Sequence, residues 1–321
     1  MEDINEKEPN TVRKHTTRSK YINLLTDFGF KHVFKHKKLL LNFLNAALPF
    51  IEGGIKDLSY DDTERTPHSE EERIARFDLN CITGNGERII IEIQNHSQEF
   101  YKDRVIYYIT FPIQEQAPKN KDWDYQLNAV YSVNILNFRM KELPHEIKKT
   151  AKKVNKYLTY VQMCDVETKE LFSDKVTLAF IELTHFRKKE EQLEKEVDKW
   201  TYVIKNIRKL QSLPATIKND TFEELFEIAE IAALSKEDRK KYNMSIKTYR
   251  DMNNYIAYRD KTIAEQSRMI LAYQQRETEY QQERAGYQQE RAEYQQERAG
   301  YQQREAGYQQ EIAELRRLLD N

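Results

Sequence analysis

Asp78, Glu92 and Gln94 are the residues of this chain whose types and spacing point most directly to chemistry. Glu92 and Gln94 close the run Glu87-Arg88-Ile89-Ile90-Ile91-Glu92-Ile93-Gln94. Strand side chains alternate with period two, so both point to one face. Isoleucines at both parities predict a strand deep in a sheet, and a carboxylate at the end of such a strand is costly without a partner. Asp78, in Phe77-Asp78-Leu79-Asn80-Cys81-Ile82-Thr83, is the natural partner, because Gly84-Asn85-Gly86 between the two apolar runs signals a hairpin. A three-residue loop sets Thr83 against Glu87 and Asp78 against Glu92. A two-residue loop shifts the register by one and sends Asp78 to the other face. In the first register two carboxylates and an amide converge at one sheet edge, a donor set suited to a hard cation. Mg²⁺ often takes one or two carboxylates with waters, so Asp78, Glu92 and the Ile93 carbonyl are candidate ligands, with Mn²⁺ as a second candidate ion. Such an ion polarises phosphate and generates hydroxide. Gln94 can orient water or a phosphate oxygen but carries no charge, so Lys102 or Arg104, further along the chain, is the expected source of positive charge.

The elements that must position these residues follow from periodicity. Leu39–Ala47 predicts an apolar helix, ended near Pro49 and Gly53-Gly54, and Ile55–Tyr60 a short strand. Residues 61–72 read as a polar loop. Gln98–Gln116 has helical periodicity, with Pro112 predicting a kink or an earlier end. Leu127–Phe138, Tyr157–Met163 and Lys175–Leu183 read as strands, and everything from Glu190 onward as helical. The chain is therefore α/β over residues 21–185 and helical beyond. Asp27 opens a polar-aromatic turn, either as an accessory acid at the site or as a cap, with Thr26 the alternative cap. Phe28, Phe30, Phe34 and Trp200 read as core, and Arg104 and Tyr107 share one helix face.

The chain has 321 residues, enough for a substantial core plus an extension, and a net charge of −1. That balance gives no whole-molecule attraction to nucleic acid, so DNA contact rests on local basic runs. These are Arg13, Lys14, Arg18 and Lys20, then Lys31, Lys35, Lys37 and Lys38, then Lys148, Lys149, Lys152 and Lys153. Cys81 and Cys164 lack paired spacing and read as reduced and buried. No signal peptide or long apolar span is visible, so a cytoplasmic protein with no membrane partner is expected.

The tail repeats. Tyrosine recurs at Tyr273, Tyr280, Tyr287, Tyr294, Tyr301 and Tyr308 in a unit close to Tyr-Gln-Gln-Glu-Arg-Ala-Gly, and seven is the coiled-coil period. Upstream, Ile256, Ile263 and Ile270 keep the same spacing. With these at a, every repeat Tyr falls at d, the a positions become Glu277, Arg284, Arg291, Arg298 and Glu305, and Ile312, Leu315 and Leu319 close the frame. Arginine at a, together with Gly286, Gly300 and Gly307, weakens the seam. A long, marginal coiled coil is expected, joining copies of the chain or recruiting a protein partner.

Asp78 followed by Glu92-Ile93-Gln94 after a hairpin resembles the PD-(D/E)XK nuclease superfamily in its E-x-Q variant. Leu25-Thr26-Asp27-Phe28-Gly29-Phe30-Lys31-His32-Val33-Phe34 resembles the opening signature of the recombination-promoting nuclease/putative transposase family. Ile91-Glu92-Ile93-Gln94 with Arg104 and Tyr107-Tyr108, Phe180-Ile181-Glu182-Leu183, Phe186 and Asp198-Lys199-Trp200 extend the resemblance over roughly residues 20–235. It implies a restriction-endonuclease-like core, a mixed sheet flanked by helices. The implied activity is metal-dependent DNA cleavage linked to recombination. Asp78 and Glu92 then become metal ligands, and Gln94 stands in the place of the motif lysine. Phe77 stands where the superfamily name has proline. The expected organisation is a disordered N-terminus over 1–19, a nuclease-like core over 20–185, a helical appendage over 186–245 and a heptad-repeat coiled-coil tail over 246–321. The alternative to the enzyme is a catalytically inactive DNA-binding or coiled-coil scaffold protein.

Overall fold

The computed structural model describes residues 19–65, 75–117, 124–140 and 156–319. The N-terminal segment before Ser19, most of the acidic loop, and Lys148, Lys149, Lys152 and Lys153 lie outside the described residues. The elements in chain order are α1 (Asp27–Phe34), α2 (Lys37–Ala47), β1 (Leu58–Tyr60), β2 (Glu64–Arg65), β3 (Ala75–Arg76), β4 (Leu79–Thr83), β5 (Arg88–Gln94), α3 (Tyr101–Gln114), β6 (Val130–Leu136), β7 (Leu158–Cys164), β8 (Leu171–Glu182), α4 (Glu196–Asn206), α5 (Asp220–Ile228) and α6 (Lys236–Leu319).

Six strands form one mixed sheet in the order β1-β4-β5-β6-β8-β7. The central β5, β6 and β8 run parallel, while β1, β4 and β7 add antiparallel margins. Parallel strands are covered on both faces, which is why the isoleucine run of β5 is buried throughout. Ile89, Ile91 and Ile93 face the larger core, shared with Phe30, Phe34, Phe43 and Trp200 from the helices. Ile90 faces the other way, into a smaller cluster with Phe77, against which Tyr108 and Phe111 of α3 pack. Glu92 and Gln94 have the parity of Ile90, so β5 turns them toward α3.

α1 is held tightly at its start. Thr26 caps it, accepting from Gly29 N–H at 3.1 Å and donating to Asn23 O at 2.7 Å. A Cβ on Gly29 would lie 2.1 Å from the Asn23 carbonyl oxygen, so only glycine fits there. The first turns of α6 dock on the same corner, where Asn23 N–H donates to Tyr242 Oη at 3.1 Å and Phe28 N–H to Ser245 Oγ at 3.2 Å. A second fastening is buried at α4. Asp198, fully buried, accepts from Lys188 Nζ at 2.7 Å, from Lys195 N–H at 3.0 Å and from the Tyr157 hydroxyl. Trp200 packs as expected, with its Nε1–H donating to Asn42 Oδ1 at 2.7 Å.

α3 carries Pro112 in its last turn and ends at Gln114, short of the Gln116 limit of the periodicity. The ring removes only the bond to the Tyr108 carbonyl, within the last turn, and the Gln116 amide donates to Pro112 O at 3.1 Å just beyond. The expectation for Cys164 is corrected: it is exposed, while Cys81 is buried. Cys164 ends the outermost strand β7, beyond register shifts at Gln162/Met163 and Met163/Cys164 that loosen its pairing with β8.

Residues 1–249 and 250–321 are separate compact units. The second is one continuous stretch of α6, with its repeat tyrosines exposed. No helix among the described residues is long and apolar enough to cross a membrane.

Candidate active site

The hairpin takes the register of the three-residue loop. Thr83 N–H donates to Glu87 O at 2.9 Å, and Gly86 supplies the left-handed φ of +85° that the turn needs. The last ladder pair is Leu79–Ile91, and Asp78 lies one residue beyond it, where the chain bends. The bend carries Phe77 onto the α3 side, edge-on to Tyr108 at 5.3 Å. Asp78 is thereby fastened to the end of β5. Ile93 N–H donates to Asp78 Oδ2 at 2.7 Å, and Asp78 N–H donates to Glu92 Oε1 at 3.3 Å. The N–H and C=O of one strand residue point to the same side, so the Ile93 carbonyl also faces the margin that Asp78 occupies.

Glu92 Oε2 is 3.0 Å from Arg104 Nη2 of α3 and accepts from Gln94 Nε2 at 3.1 Å. Arg104 is itself held over the Tyr108 ring at 4.8 Å and donates to Gln98 Oε1 at 3.0 Å. Burial, then the charge of Asp78, pushes the Glu92 carboxyl up to about 8, and Arg104, Gln94 and the Asp78 N–H only partly oppose this. Asp78 is also pushed up, first by burial; the Ile93 N–H, Lys31 and Arg104 pull it down, and the Asp27 charge adds to the rise. Two carboxylates sharing one buried place repel ionisation of each other. The protein's own cations leave that repulsion uncompensated.

Lys31 was not foreseen as a site residue. Thr26 is the cap, which leaves the Asp27 carboxylate to pair with Lys31 at 2.7 Å, and both charges act on Asp78. Asn95, one residue beyond β5, donates to Leu25 O at 2.6 Å and so ties the strand end to the start of α1. The Asp27–Lys31 spacing of four was the available signal. Asn134 was also missed. It is fully buried beside Glu92 in the β5–β6 register, accepts from the Tyr101 hydroxyl at 2.9 Å and donates to Ser132 Oγ at 2.9 Å. Its signal was the pair of polar residues at alternate positions of an apolar strand. Lys102 lies on the exposed side of α3 and makes no ion pair or hydrogen bond among the described residues, so the structure brings Arg104 but not Lys102 to the carboxylates.

Among the described residues, no group of three or more His, Cys, Asp or Glu comes together as a metal cage. The oxygens that could hold an ion are those of Asp78, Glu92 and the Ile93 carbonyl. That set is all oxygen and has excess negative charge, which fits a hard divalent ion that keeps several waters.

A family model described as PD-(D/E)XK nuclease family transposase matches residues 24–259. The chain belongs to that family. Its six-stranded mixed sheet with flanking helices is the PD-(D/E)XK fold, and PD-(D/E)XK nucleases generally use divalent metals. None of the curated proteins and none of the solved structures compared with this PD-(D/E)XK chain matches it.

Proposed function

We propose that this PD-(D/E)XK protein is a metal-dependent DNA endonuclease that hydrolyses phosphodiester bonds in a recombination or transposase-like process. The observation that carries the reading is the interlocked pair Asp78 and Glu92, both pushed toward the neutral acid. A divalent ion, Mg²⁺ or Mn²⁺, held by Asp78, Glu92 and the Ile93 carbonyl would polarise a phosphoryl oxygen and acidify a bound water. The remaining roles belong to the chain. Arg104 orients Glu92 now and lies close enough to offset charge on the scissile phosphate. Gln94, bonded to Glu92, orients the attacking water by hydrogen bonding. Lys31 supplies the ammonium that Gln94 lacks, with Asp27 holding it in place. Asn134 and Tyr101 fix the floor beneath Glu92.

Supercoiled plasmid incubated with Mg²⁺, Mn²⁺ or EDTA tests this. The wild type is expected to nick with either metal and not in EDTA, and Asp78→Ala to lose nicking while keeping its fold. Wild-type nicking by Asp78→Ala would remove the assignment. Gln94 in the lysine position favours a second reading, a silent DNA-binding scaffold. That protein would bind duplex in a salt-dependent way, without turnover and regardless of Asp78 and Glu92.

A further inference from the structure

The tail unit is a single helix over residues 250–319, and its repeat tyrosines, Tyr273 through Tyr308, are each 60–68% exposed. A solitary helix gains little from propensity alone, and an aromatic stripe along one line of it gains nothing until it is covered. The charges beside the stripe are patterned. The residues at g and a read Glu283-Arg284, Glu290-Arg291 and Glu297-Arg298 in the three central repeats. They are inverted in the flanking ones, to Arg276-Glu277 and Arg304-Glu305. The e positions of these repeats, Gln274, Gln281, Gln288, Gln295 and Gln302, are all neutral. The g and a residues therefore hold every charge next to the seam.

We propose that the tail pairs with a second copy of itself as a parallel, in-register two-stranded coiled coil, with the two inverted repeats setting the register. In parallel pairing each a side chain enters a hole that includes the partner's g residue immediately before its own a residue. In register, Arg284, Arg291 and Arg298 each meet the other copy's Glu283, Glu290 and Glu297, and Glu277 and Glu305 meet Arg276 and Arg304. Each heptad then has two a–g′ contacts of opposite sign against one a–a′ contact of like sign, such as Arg284 with Arg284, so attraction outnumbers repulsion in register. A slip of one heptad sets Arg284 against Arg276, Glu277 against Glu283, Arg298 against Arg304, and Glu305 against Glu297. Like charges there are destabilising, and the two opposite a–a′ pairs that the slip creates, Arg284 with Glu277 and Glu305 with Arg298, offset only part of that cost. An antiparallel pair centred on the repeats sets g against g, with Glu290 opposite its own copy and Glu283 opposite Glu297. Within the repeats, tyrosine at d and neutral glutamine at e tolerate any heptad shift, so there the inversions carry the specificity, and Ile270 and Ile312 at the flanking a positions add to it. In the isolated helix the inverted arginines fold back on their own tyrosines, Arg304 over Tyr301 at 4.6 Å and Arg276 over Tyr273 at 6.0 Å.

The test uses the full chain in a Cys164→Ser background, which leaves only buried Cys81. Sedimentation is expected to give a dimer. Tyr273→Cys is expected to oxidise to a covalent dimer. In a mixture with tagged Tyr280→Cys, the mixed disulfide should be on the order of tenfold rarer than the two homotypic ones. A composition-neutral variant exchanges each central pair (E283R, R284E, E290R, R291E, E297R, R298E), so that all five repeats read Arg-Glu. It should keep the dimer mass while the mixed disulfide rises severalfold. A monomer at the highest attainable concentration overturns the proposal. So does an equal mixed product in the wild type, or a dominant disulfide between Tyr273→Cys at d and tagged Glu305→Cys at a, which reports antiparallel pairing.

Discussion

Glu92 lets the metal claim be tested without any cleavage assay. Burial and Asp78 raise its carboxyl from an ordinary value of 4.5 to about 8. A carboxyl raised on folding contributes stability that is fullest below its unfolded pKa and is lost as pH rises through the folded one. Metal-free wild type should therefore lose on the order of a few kcal/mol between pH 4.5 and 8, and Glu92→Gln should lose less, as measured by thermal denaturation in chelator. The same proton must leave when a cation binds. Mg²⁺ titrations at pH 6.5, in buffers of different ionisation heat, should show proton release that disappears in Glu92→Gln; release equal in both proteins would separate Glu92 from the cation. Gln94→Lys would put an ammonium beside Glu92 and lower its pKa by about 1 unit or more. The acid limb of the cleavage pH profile should then move down by that amount, and an unmoved limb would place Gln94 outside the site.

At the scale of elements, α1 and α4 lock the frame that presents the carboxylates. Gly29→Ala pushes a methyl into the Asn23 carbonyl and should cost about 1–3 kcal/mol, seen as a lower Tm. Asp198 has a depressed pKa: burial raises it, and Lys188, the Tyr157 hydroxyl and the Lys195 N–H outweigh burial. Its contribution is present above the ordinary carboxylate pKa and is lost as pH falls, opposite in sign to Glu92. Asp198→Ala strands Lys188 and should cost on the order of 3 kcal/mol in a neutral-pH melt. An unchanged melt would show that the network does not brace α4. The hairpin register was legible in the sequence because a glycine loop and an alternating pattern specify it locally. The strands of the parallel core were legible for the same reason, as apolar runs between turn signals. The end of α3 soon after Pro112 fits the local signal, since the proline removes one bond in a last turn, where that loss is small. Cys164 depended on which strand lies outermost, a property of topology that no local window carries. Lys31 depended on a contact between segments 70 residues apart, Leu25 with Asn95, that brings α1 to the end of β5.

For the whole molecule, a net charge of −1 gives no general attraction to DNA, so engagement rests on local cations. Arg104 stands 3.0 Å from Glu92, and the Lys31 charge acts on Asp78. The family match covers residues 24–259 and leaves the tyrosine repeats outside it, so the proposed cleavage and the proposed self-association are tested separately. The measurement that bears most directly on the account is conversion of supercoiled plasmid by wild type and Glu92→Ala side by side, in Mg²⁺ and in EDTA, with duplex binding followed on the same samples. The expected result is metal-dependent nicking by the wild type, its loss in Glu92→Ala to the level seen in EDTA, and DNA binding retained by both. Nicking by Glu92→Ala at the wild-type rate, or a wild type that binds DNA and cuts with neither metal nor chelator, would contradict a metal-dependent nuclease centred on Asp78 and Glu92.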